Sequence, residues 1–105
     1  MDKKLKRYLL KNKDVKRLWK ATGKKDIWAC TAAVMFNIPW FECTDRYNGE
    51  YQPDGKKIRM FVKTILSSTV FSGSDFRDIP TTLDDWNEVR EIVCKLRQEH
   101  GVVWG

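Results

Sequence analysis

Arg59 and Lys63 stand four residues apart, a spacing that puts two cations one turn apart on the same face of a helix. Such a pair can bracket adjacent phosphates through charge-assisted hydrogen bonds, and Phe71, two turns beyond Lys63, can meet a base. The same spacing also suits a solvated face opposite the apolar Ile58, Phe61 and Ile65, so residue types alone leave both readings open. Other sets are weaker. Asp84 and Asp85 are adjacent carboxylates, but they open an apolar-periodic segment, where compensation of the helix dipole accounts for them. Cys30, Cys43 and Cys94 are an odd count without CxxC spacing, which fits neither a disulfide framework nor a zinc site. His100, the single histidine, completes no Ser/His/Asp or Cys/His set. The expectation is no catalytic residue, no metal and no cofactor.

Basic residues concentrate at the start. Residues 1–25 carry eleven Lys or Arg against Asp2 and Asp14, whereas the rest of the chain is mildly acidic within an overall +6. Lys11, Lys13, Lys16, Arg17, Lys20, Lys24 and Lys25 form a candidate electrostatic surface for nucleic acid, since such a block neutralises phosphates and releases counterions. A solvated helix face without a ligand is the bland alternative. Leu5, Tyr8, Leu9, Val15, Leu18 and Trp19 recur at three- and four-residue steps, interrupted near Asn12. They predict one basic amphipathic helix over 1–22, broken by Gly23.

A second helix is predicted from Asp26, an N-cap, with Ile27, Cys30, Thr31, Val34 and Met35 as its apolar face. Asn37 suits a left-handed cap, and Pro39 prevents continuation. Residues 41–55 read as a polar loop in which Asn48-Gly49, flanked by Tyr47 and Tyr51, suits a small hairpin. A third helix is expected from Asp54 as cap to about Val70, buried through Ile58, Phe61, Val62, Ile65 and Leu66. After a loop over 72–80, a fourth runs from Thr82 to Gly101 on Leu83, Trp86, Val89, Val93 and Leu96. The prediction is an all-α domain over 1–105 of about four helices, divided as 1–22, 24–73 and 81–101. Asp54-Gly55-Lys56-Lys57 lacks the Gly spacing and the Ser/Thr of a phosphate-binding P-loop.

With 105 residues, 42% hydrophobic and 32% charged, the chain can bury one small core and is too apolar to be disordered. It is too short for a complete polymerase or helicase. Ile27 to Phe41 is the longest apolar-rich stretch, and Thr31, Asn37 and Pro39 interrupt it, so no membrane span is expected. The charged start has no apolar signal core, and a cytoplasmic location is the expectation.

Two motifs in order carry a family resemblance. Lys25-Asp26-Ile27-Trp28-Ala29, followed by Ala33 to Pro39 (AVMFNIP), resembles the fingers subdomain of family A, DNA polymerase I-like, DNA polymerases. The stretch TDRYNGEYQPDGKK and the helix from Arg59 through Lys63 to Leu66 look like phage-type members, and the likeness spans about residues 12–73. It implies that Arg59 and Lys63 hold the triphosphate of an incoming deoxynucleotide, with Phe71 where the family has a Tyr and Ser72 where it has a Gly. The palm motifs whose aspartates bind two magnesium ions in that family are absent. The implied function is a non-catalytic fingers-like module, a DNA-binding and nucleotide-binding protein that takes DNA more readily than RNA. One alternative is a phage-derived interaction protein that modulates a host polymerase, nuclease or defence protein through Trp28, Trp40, Tyr47 and Trp104. A piece of a split polymerase is another.

Overall fold

The computed structural model describes residues 3–69 and 84–101. Among these residues, five α-helices build a single core: α1 (Lys3–Leu9), α2 (Lys13–Ala21), α3 (Ile27–Phe36), α4 (Pro53–Thr69) and α5 (Asp84–His100). A 3-10 turn (Trp40–Cys43) and a two-stranded hairpin, β1 (Arg46–Tyr47) and β2 (Glu50–Tyr51), join α3 to α4. The expected all-α fold with a minor hairpin is therefore present.

Two boundaries and the burial of one helix differ from what the sequence predicts. The single N-terminal helix is two helices, because Asn12 caps α2. Its Oδ1 accepts from the backbone N–H groups of Asp14 (3.0 Å) and Val15 (3.1 Å), and its extended backbone cannot continue α1. Helix α3 does not bury one stripe; all ten of its residues are buried. IWACTAAVMF is apolar all round, which is the pattern of an enclosed helix. Its one hydroxyl, on Thr31, donates to the Ile27 carbonyl oxygen at 2.7 Å and so is satisfied. Helix α4 starts one residue before the predicted Asp54 cap, since Pro53 brings a helical φ and lacks the N–H that a first turn leaves unbonded.

Helix α3 touches α1, α2, α4 and the 3-10 turn, and α5 packs on α4. Asn37 is left-handed (φ 58°), and the Ile38 N–H closes back onto the Ala33 carbonyl oxygen at 3.1 Å. Ile58, Phe61, Val62, Ile65 and Leu66 are buried as predicted, as are Val89, Val93 and Leu96. Trp86 of α5 stacks on Phe36 and Phe61, and the Arg97 Nε donates to the Phe36 carbonyl oxygen at 2.6 Å. Across the α4–α5 contact, Glu88 accepts a hydrogen bond from Lys57 and raises its pKa.

The loop before α4 is tied by Gln52, whose Nε2 donates to the carbonyl oxygens of Phe41 (2.7 Å) and Thr44 (3.0 Å). Gly55 lets α4 approach this loop. A Cβ there would overlap the Thr44 carbonyl oxygen and stand 2.9 Å from that of Glu42. In the hairpin, Asn48 (φ 53°) and Gly49 (φ 80°) supply the two left-handed residues that a tight turn demands.

Candidate nucleic-acid interface

The candidate site starts at the C-terminus of α2. Gly23 (φ 85°) donates its N–H to the Lys20 carbonyl oxygen and Lys24 donates to that of Trp19 at 2.8 Å, the two bonds of a Schellman ending. Lys24 is itself left-handed (φ 57°), a conformation that costs a side-chain-bearing residue about 1 kcal/mol or more. The turn brings the Lys24 ammonium to 5.8 Å from the centre of the Trp19 ring, and Lys6 of α1 sits over the same ring at 4.7 Å.

Asp26 follows, with two tasks. Its Oδ1 accepts from the Ala29 N–H at 3.2 Å, capping α3, and its carboxylate takes the Arg59 Nε–H at 3.0 and 3.3 Å. Asp45 stands 3.7 Å from the same nitrogen. Arg59 is thus a half-buried, oriented cation that fastens α4 to the start of α3, rather than a solvated one. Such a partly desolvated pair contributes about 1–2 kcal/mol, between an exposed ion pair and a fully buried charged hydrogen bond.

These residues line one open cleft of about 260 Å³, formed by Lys6, Trp19, Lys24, Lys25, Asp26, Ile27, Trp28 and Arg59. Four cations from three separate stretches of chain meet there against one carboxylate, with indole rings in the wall.

No family model, curated protein or solved structure matches the chain.

Of the residues expected to act, Arg59, Lys24 and Lys25 come together in this cleft. Lys63 is exposed one turn further along α4 and does not line it. Lys11, Lys13, Lys16, Arg17 and Lys20 are exposed on α2 and the turn before it, where Arg17 lies 3.8 Å from Asp14. Phe71 lies outside the described residues, as do Ser72 and Trp104. Lys6 and the ring of Trp19 were missed. Trp19 reads as core from its spacing, yet it is only half-buried, and Lys6 reaches it because the break at Asn12 folds α1 back. The proposed protein anchors fare differently. Trp28 is buried and Trp40 packs partly buried on the core, whereas Tyr47 is exposed while stacking on Phe41.

A second cleft, of about 210 Å³, gathers Glu42, Asp54 and Glu99 with Lys95. Glu42, Glu99 and His100 each bring a ligand atom within 4.8 Å of the others, and His100 Nε2 is 3.6 Å from Glu42. Lys95 lines the same cleft, and His100 sits edge-on to Phe41. The group fastens the end of α5 to the 3-10 turn. Among the described residues, no helix is long and apolar enough to cross a membrane.

Proposed function

We propose that the chain is a non-catalytic, fingers-like module of the family A DNA polymerase type that binds DNA or nucleotide phosphates through a basic face. The observation that carries this reading is that Lys6, Lys24 and Lys25 line one cleft with Arg59 and Trp19. Arg59 is the residue that the motif likeness assigns to phosphate, and the N-terminal block is an electrostatic surface on its charge alone. Their meeting in one cleft supports a single anion-binding region instead of two unrelated charged patches. Arg59 suits the role chemically, since a guanidinium keeps its charge and offers planar donors to phosphate oxygens. Lys63 and Phe71 extend the site along the helix by resemblance, as a second phosphate contact and a stacking platform.

Titration of labelled single-stranded DNA and of deoxynucleotides at two salt concentrations tests this function. Binding at low salt that weakens steeply as salt rises is the expected outcome, because phosphate contacts release counterions. Arg59→Ala, with circular dichroism to verify the fold, should weaken nucleotide binding more than DNA binding, where other cations share the load. Absence of binding to either at low salt would end the proposal.

A further inference from the structure

We infer that the Lys6/Lys24/Lys25/Arg59 cleft takes a terminal phosphate monoester, at the end of a nucleic-acid strand or on a mononucleotide, rather than the internal phosphodiesters of a backbone. The inference rests on the phosphate-binding function proposed above and names the chemical form of phosphate that this cleft prefers.

Shape is the first argument. A surface that tracks a strand spreads its cations along a groove, one per phosphate. Here four cations from α1, the α2–α3 turn and α4 line one cleft. The cleft, about 260 Å³, lies just below the range of pockets that enclose small organic ligands. It has room for a phosphate and part of one nucleoside, not for a run of them.

Charge is the second. Asp26 lines the same cleft and opposes any anion, so a ligand must offset one carboxylate before it gains. A phosphodiester brings a single negative charge, whereas a monoester brings about −1.5 to −2 at neutral pH and three acceptor oxygens. Even with Asp45 beside Arg59 as a second carboxylate, the four cations leave an excess of two positive charges, which matches the larger charge better.

Preparation is the third. Cation–π attraction to Trp19 holds Lys6 and Lys24 on the cleft wall, and Asp26 fixes Arg59 through its Nε–H. The terminal nitrogens of Arg59 are the donors that a phosphate would use. The left-handed backbone at Lys24, where glycine would be unstrained, is what sets its ammonium over that ring.

Three labelled single-stranded oligonucleotides of one sequence provide the test, carrying a 5′-phosphate, a 3′-phosphate or hydroxyls at both ends. At least one phosphorylated form should bind roughly ten-fold tighter than the hydroxyl form, the gain of an added charged hydrogen bond or two. A deoxynucleoside monophosphate, added as competitor, should remove that preference where the free nucleotide is a ligand. Failure of the monophosphate to compete would assign the site to strand ends. Lys24→Gly with Lys25→Ala should abolish the ten-fold preference and leave the circular dichroism spectrum unchanged. Equal binding of all three oligonucleotides would overturn the inference and leave the proposed function standing. No binding of any at low salt would overturn both.

Discussion

Asp26 and Lys24 show how single residues at this site serve opposed demands. Asp26 caps α3 and orients Arg59, but its charge also repels the anion that Arg59 would attract. Asn keeps an acceptor for the Ala29 N–H and loses the charge. Asp26→Asn should therefore cost about 1–2 kcal/mol in chemical denaturation, the contribution of the ion pair with Arg59, since Asn caps as well as Asp. In the same protein, binding of single-stranded DNA at low salt should tighten by several-fold; weaker binding would show that holding Arg59 in place outweighs the repulsion. Lys24 presents the reverse trade. Its left-handed backbone strains the fold, so Lys24→Gly should leave the melting temperature unchanged or raise stability by up to about 1 kcal/mol, while DNA affinity falls. A marked loss of stability would mean that the contact with Trp19 matters to folding more than the strain does.

At the scale of elements, helix ends and close approaches decide what α1 to α5 can do. Gly55→Ala places a methyl group on the backbone of the Thr44 loop, where no flexible side chain can give way. It should destabilise by about 1–3 kcal/mol in thermal or denaturant unfolding. Asn12→Ala removes the cap that separates α1 from α2 and should cost about 1 kcal/mol. Most of this architecture was legible in the sequence, because apolar spacing in α4 and α5, the Asp26 cap, the left-handed Asn37 and the Asn48-Gly49 turn are local signals. Enclosure of α3 on every side was less so, since it depends on partners distant in the chain. The cleft was legible only in parts. Arg59, Lys24 and Lys25 stand out by type and position, but their meeting depends on the Asp26 tie and on α1 folding back over Trp19. Neither follows from periodicity.

Across the whole molecule, burial separates reactive groups from inert ones. Cys30 and Cys43 are buried and desolvation raises both thiols above their ordinary pKa, Cys43 the more strongly, whereas Cys94 is exposed. Native protein treated with a thiol reagent near pH 8 should modify one cysteine quickly, at Cys94, and the other two only on unfolding. Peptide mapping would identify the residue, and rapid labelling of Cys43 would contradict its place in the core. The same scale sets the electrostatics. The N-terminal block and Arg59 belong to different parts of the sequence, yet the fold places members of both around one cleft, so they should act together in binding and respond together to salt. The decisive measurement is the salt dependence of binding to single-stranded DNA, compared between the natural chain and a Lys6→Ala, Lys24→Gly, Lys25→Ala variant. On a strand that ends in a phosphate, the loss of that one bound phosphate should make the slope of log affinity against log salt shallower by about 0.7, and affinity at the lowest salt should fall at least ten-fold. Identical slopes and affinities for the two proteins would contradict a phosphate-binding role for the cleft.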